Sequence, residues 1–158
     1  IGNILPDAAV CNLNVWRVDL RSGTAERVLE QADISCAQST ELFVEAAPGD
    51  NALFAAELQV DAEKPHSVRN WYRTGCPYLQ RADSALRWSM ERAPDKTCGT
   101  VILYAEQYVH AVELEGFSGL SDNYFSMLPG EEKRVAFLDT AEMQSVRAYT
   151  LIPDRDEL

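Results

Sequence analysis

The chain has 158 residues, 46% of them hydrophobic, and carries 25 acidic against 14 basic side chains, a net charge of -11. That balance argues against nucleic acid and anionic membrane surfaces as partners, because both recruit Lys and Arg. No apolar run approaches the roughly 20 residues of a membrane span, and the length suits one large domain or two small ones.

In chain order, Asn14-Val15-Trp16-Arg17-Val18-Asp19-Leu20 alternates, with Trp16, Val18 and Leu20 on one face, which predicts a half-buried strand. Arg21-Ser22-Gly23-Thr24 reads as a turn. Residues 26–36 have helix-forming composition, but a short turn after a strand favours a hairpin, so a second strand is expected. Further strands are expected at 41–45, at 54–60 (Phe54, Ala56, Leu58 and Val60 alternating) and at 67–72. Thr74-Gly75-Cys76-Pro77 interrupts the pattern and marks a domain boundary.

Beyond it, Leu86, Trp88 and Met90 share one face of a strand, with Trp88, like Trp16, a core candidate. Residues 100–104 form an apolar strand. Tyr108, His110, Val112 and Leu114 alternate with Val109, Ala111, Glu113 and Glu115. Asp122-Asn123 is a turn signal, and Pro129-Gly130 fits the centre of a type II turn, Pro presetting φ and Gly supplying φ > 0. A strand over 133–138 follows. Residues 139–144 are expected to make one helical turn capped by Asp139 or Thr140, and 146–152 the last strand. Short strands separated by turn chemistry predict an all-β protein of two immunoglobulin-like antiparallel β-sandwich domains. The boundaries fall at 1–76, a sandwich with room for a missing first strand, and 77–158.

The stretch "SDNYFSMLPGE" carries a resemblance. With the strand that follows, it resembles the C-terminal immunoglobulin-like domain of family 2 glycoside hydrolases of the β-mannosidase type, departing at Met127, where that pattern usually has Leu. The matching residues are Ser121, Asp122, Asn123, Tyr124, Phe125, Leu128, Pro129, Gly130 and Glu131. Residues 1–75 resemble the preceding sandwich domain more weakly. The resemblance implies a structural role for the motif. It also implies a parent enzyme that hydrolyses terminal β-mannosides, or related β-glycosides, with retention, on a (β/α)₈ barrel bearing both catalytic glutamates. No βα alternation here supplies such a barrel. The chain alone is therefore expected to be inactive, with the barrel and N-terminal domains of the same parent as partners. Ile1, with no initiator Met or leader, is expected to be an internal start.

The chemistry in the residues is sparse. Glycoside hydrolysis needs two carboxylates about 5–9.5 Å apart in a cleft. Glu106, Glu113, Glu115, Asp122, Glu131 and Glu132 cluster near the motif, but on polar strand faces and turns, so no catalytic residue is assigned. His110, on the apolar side of its strand, reads as a satisfied sheet histidine, and His66 as a solvated loop residue. Neither the histidines nor the four cysteines match a metal spacing, and no metal or cofactor is expected. Free thiols are expected at Cys11, Cys36, Cys76 and Cys98, given their low density, although a hairpin about Ser22-Gly23 would bring Cys11 towards Cys36. Trp71, Tyr72 and Tyr78 flank the boundary and have two readings: an aromatic platform for a glycan, or packing within the first domain and the interface. The final Arg155-Asp156-Glu157-Leu158 resembles an endoplasmic-reticulum retrieval tetrapeptide; the other reading is a charged tail, with a cytoplasmic location expected for a bacterial source.

Overall fold

A computed structural model describes residues 10–35, 52–60, 66–73, 78–94 and 98–152. Among them the chain is all-β, and every strand pairing is antiparallel. It divides into two compact units, one of Ile1–Asp19 and Ala25–Gly75, the other of Leu20–Thr24 and Cys76–Leu158.

In the first unit, β1 (Val10–Asp19), β2 (Ala25–Ser35), β3 (Ala52–Val60) and β4 (His66–Arg73) form one sheet in the order β2-β1-β3-β4. β1 and β2 are the expected hairpin. β2 is extended despite its helix-forming composition, because pairing from Val18–Ala25 to Val10–Ser35 satisfies its backbone along its length. The register slips between Cys11 and Leu13, where Asp33 takes a left-handed φ of 56° and its amide donates to Asn12 Oδ1 at 3.1 Å. Cys11, Leu13, Val15 and Ile34 make a buried cluster against which Phe54 and Leu58 pack. Trp16 is half-buried opposite Ala55. The strand expected at 41–45 lies outside the described residues.

Cys11 corrects the expectation of free thiols: it is disulfide-bonded, while Cys98 is free and half-buried. Cys36 and Cys76 lie outside the described residues. Low cysteine density is a chain-wide average, whereas one bond needs only one pair of sulfurs brought close by local folding.

The second unit is an immunoglobulin-like sandwich of seven strands. β6 (Leu86–Arg92), β7 (Gly99–Ala105) and β10 (Glu132–Phe137) form a sheet in the order β10-β7-β6. β5 (Tyr78–Arg81), β8 (Val109–Ser118), β9 (Phe125–Met127) and β11 (Asp139–Ile152) form the other, in the order β5-β11-β8-β9. The chain passes from one sheet to the other between β5 and β6, β7 and β8, β9 and β10, and β10 and β11, a Greek-key path. Alternation places Val101, Leu103, Ala105, Val135 and Phe137 of one sheet against Val109, Val112, Leu114, Met127 and Ala148 of the other in a single core. Each large apolar side chain buried there contributes about 1.5–3 kcal/mol. Phe117 and Phe137 meet as tilted rings 5.3 Å apart. Leu20–Thr24 belongs to this unit, and the Tyr108 amide donates to the Gly23 carbonyl at 2.8 Å.

Four expectations are corrected here, each for a physical reason. On β8, Val109 is core rather than outward-facing: a bulge sets His110 and Ala111 opposite Ser126 and shifts the alternation by one, so Val109, Val112 and Leu114 all point inward. Trp88 lies on the face expected of it but is 42% exposed, because β6 is an edge strand with no neighbour beyond it to bury the ring. The helical turn at 139–144 is instead strand and bulge. Thr140 pairs with Phe117 and Ser145 with Glu115, so residues 141–144 arch over Gly116 alone. Gly116 has φ +76°, and a Cβ there would collide with the Met143 carbonyl, so this bulge requires glycine. Finally, residues 78–81, expected only to flank a boundary, form β5, which pairs with β11 from Tyr149–Arg81 to Ile152–Tyr78.

β5 turns into β6 through a 3₁₀ turn at Asp83–Ala85. Asp83 fixes that turn to β11: Oδ1 accepts from the Ala148 amide at 3.0 Å and Oδ2 from Arg81 Nε at 2.7 Å. Partial desolvation pushes its pKa up, but the Ala148 amide and the Arg81 guanidinium outweigh that and hold the carboxyl below 3.8.

Two outcomes are expected. A native-state pKa held low gives stability that is present above the unfolded value of 3.8 and lost as pH falls through the folded one. Asp83→Asn should therefore flatten the acid limb of a stability–pH curve below pH 3.8, measured by urea denaturation. An unchanged limb would remove Asp83 from the turn's energetics. Reduction, or Cys11→Ala, should destabilise the chain by about 3–4 kcal/mol, the chain-entropy value for a loop of tens of residues. Peptide mapping of the non-reduced protein should show Cys11 linked and Cys98 alkylated, and a free Cys11 would contradict the fold described.

Candidate functional site

The segment linking β8, β9 and β10 holds the motif, and each of its polar groups has a backbone target. Ser121 pairs with Ala136 of β10 in both directions: its amide donates to the Ala136 carbonyl at 2.9 Å, and its Oγ accepts from the Ala136 amide at 3.0 Å. This covers the outer edge of β10. Asn123 reaches the opposite sheet. Its Oδ1 accepts from the Leu114 amide at 2.9 Å and the Tyr124 amide at 3.0 Å, while Nδ2 donates to the Leu114 carbonyl at 3.4 Å. The side-chain amide thus acts as a missing strand residue opposite Leu114, and Tyr124 at φ +59° turns the chain into β9. Asp122 Oδ1 accepts from the Asn123 amide, and Oδ2 lies 2.6 Å from Lys133 Nζ, which also sits 4.1 Å from the Phe125 ring centroid.

The second half of the motif closes the other end. Gly130 has φ +82°, and the Glu131 amide donates to the Leu128 carbonyl at 3.2 Å, the expected type II turn. Glu131 folds back so that Oε2 accepts from the Leu128 amide at 2.7 Å. The Gly130 amide donates to the Ala105 carbonyl and the Ala105 amide to the Glu131 carbonyl, at 2.8 and 3.0 Å, which pins the end of β7. Met127, the departure from the resembled pattern, is fully buried, and its flexible side chain packs in the core.

The six clustered carboxylates are all engaged in this scaffold. Glu106 pairs with Arg87 at 2.6 Å and Glu115 with Arg147 at 2.7 Å, and Glu115 also accepts from Ser145. Glu113 lies 3.8 Å from the same guanidinium and accepts from the Tyr124 hydroxyl at 3.1 Å. That bond holds the Tyr124 proton and raises the phenol's pKa. Glu132 lies 3.8 Å from Arg134. Exposed pairs of this kind contribute at most about 1 kcal/mol each. His110 Nδ1 shares a 2.7 Å hydrogen bond with the Tyr108 hydroxyl, and Ser126 Oγ donates to the His110 carbonyl. Tyr108 is 1% exposed, and burial pushes its pKa up, so the phenol stays protonated. Among the described residues, no group of three or more His, Cys, Asp or Glu could hold a metal ion, and no helix is long and apolar enough to cross a membrane.

Of the three aromatic candidates, Tyr78 stands 54% exposed on edge strand β5. Trp71 and Tyr72 lie in β4, and their side chains, with that of His66, fall outside the described ones. A different aromatic pair borders a depression among the described residues. It is a shallow, open trough of about 370 Å³ lined by Arg87, Trp88, Ser89, Ile102, Tyr104 and Glu132. Cross-strand register builds it. Arg87, Tyr104 and Glu132 form one row across β6, β7 and β10, and Ser89, Ile102 and Arg134 the next. The Arg87 guanidinium lies 5.2 Å from the Tyr104 ring centroid and is held by Glu106, and Arg134 is held by Glu91 at 2.7 Å. Nothing in strand alternation alone marked this face, since it depends on which three strands become neighbours.

Asn123→Ala should cost about 2–3 kcal/mol, because it strips partners from two backbone amides and a carbonyl in a part-buried setting. Asn123→Asp keeps the acceptor but not the donor and should cost less. Urea denaturation of the two variants gives the comparison, and equal losses would show that the amide acts only by its size. No family model matches the chain and no curated protein matches it in sequence, so the weight of this motif rests on its hydrogen bonds and on that measurement.

Proposed function

We propose that the chain is the non-catalytic C-terminal accessory region of a glycoside hydrolase resembling the β-mannosidase type of family 2. The observation that carries this reading is the use made of the motif. Ser121 bonds the connecting segment to β10, Asn123 bonds it to β8, Gly130 and the Glu131 carbonyl bond it to β7, and the Glu131 carboxylate closes the turn on the Leu128 amide. A string of residues kept for such a purpose belongs to a scaffold. The carboxylates around it are spent in ion pairs and amide contacts, which suits an accessory role better than acid–base chemistry. In this reading the parent hydrolyses terminal β-mannosides, or related β-glycosides, with retention, on a barrel elsewhere in the same chain. The region stabilises or flanks that barrel. The disulfide at Cys11 favours folding in an oxidising compartment.

A second reading, a carbohydrate-binding module, is favoured by the aromatic side chains that stay accessible on the second unit, Tyr78, Trp88 and Tyr104.

Two measurements test the first reading. The purified chain should give no turnover of aryl β-mannoside, β-glucoside or β-galactoside; activity that survives repurification would overturn it. The transcript upstream of the Ile1 codon should encode a (β/α)₈ barrel with two catalytic glutamates. A reading frame without one would also overturn the assignment.

A further inference from the structure

We infer that the trough on the outer face of β6, β7 and β10 is a binding site for a neutral saccharide, an inference that deepens the carbohydrate-binding reading and rests on it. Its floor is Ile102, half-buried, beside the small Ser89 of the neighbouring strand. Its volume of about 370 Å³ falls at the lower end of the roughly 300–1,000 Å³ typical of small-molecule sites. One wall is Tyr104, 39% exposed, and Trp88 contributes at the open edge of β6. The apolar face of a sugar ring suits such a floor and wall, and its hydroxyls suit a rim able both to donate and to accept. Arg87 donates, Glu132 accepts, and Ser89 does either.

Charge selects among ligands. Two arginines face three glutamates around the trough, and Arg87 and Arg134 are already held by Glu106 and Glu91. The rim is thus close to neutral on a chain of net charge -11, which disfavours anionic ligands without offering a cation a concentrated site. The same ion pairs fix the rim in place, so little side-chain freedom is lost when a ligand arrives. The opening is too small and shallow for a folded protein partner, whose interfaces bury about 800 Å² a side.

The test is a ¹H–¹⁵N chemical-shift titration of the full chain with neutral β-1,4-linked mannotriose, cellotriose and chitotriose, with trigalacturonate as the anionic arm. At least one neutral trisaccharide should bind at millimolar concentration and shift the amides of Ser89, Ile102 and Tyr104. Tyr104→Ala should weaken it at least about tenfold. Ser89→Trp, which fills the exposed floor without touching the core, should abolish it while leaving the rest of the spectrum unchanged. Binding of a neutral sugar that both variants leave intact would overturn the trough and leave the module reading standing through other aromatics. No shift with any neutral sugar would overturn both. Binding by trigalacturonate alone would overturn the assignment of a neutral ligand.

Discussion

The second unit depends on one constraint: a chain that leaves one sheet for another must still satisfy its backbone amides and carbonyls. An unpaired group at such a crossing costs about as much as a hydrogen bond is worth, and several would cost more than a small sandwich has to spare. Within one sheet, the turn that links β8 to β9 meets the same need through Asn123, which lends its side-chain amide to Leu114 of β8 in both directions. Ser121 does the equivalent for β10 through its hydroxyl. Glu131 does so at the next crossing by reaching back to the Leu128 amide. Each is a residue whose side chain copies a peptide group or part of one, which is why these residue types recur at turns.

Those substitutes decide how the core is held. The crossings fix the register in which Val101, Leu103 and Val135 meet Val112, Leu114 and Met127. A slip of one residue at any crossing would turn a whole strand inside out. The bulge at His110 and the arch at 141–144 absorb the length mismatches that remain. The first needs a buried partner for Tyr108, which His110 provides, and the second needs a residue without a Cβ, which Gly116 provides.

Much of this was legible in the sequence. The Pro129-Gly130 turn, the alternation along β1, β3 and β6, and the turn–strand–turn path of residues 121–131 follow from local chemistry, because a turn type or a two-residue period is set by the residues that show it. What was not legible depends on neighbours far along the chain. β5 is a strand only because β11 offers it an edge, and its four exposed residues carry no pattern of their own. Asp139 and Thr140 have good helix-capping chemistry, yet pairing with β8 outweighs a turn of helix that would leave Phe117 and Ser118 without partners. Trp88 has the right phase for the core, and only sheet order reveals that it sits at an edge. The trough was invisible for the same reason, since three strands separated in sequence supply its walls.

The motif and the trough are mechanically one structure. The Gly130 and Glu131 backbone clamps both polar groups of Ala105, the last residue of β7. Ala105 is fully buried and Tyr104 before it points outward, so the clamp that seats Ala105 in the core also sets the height and angle of Tyr104 on the surface. Glu132, which lines the trough, follows the same turn directly, opposite Tyr104 on β10. The type II turn therefore holds the two sides of the trough at a fixed separation, through a backbone already committed to closing the sandwich. A surface placed this way needs no flexible loop to organise it.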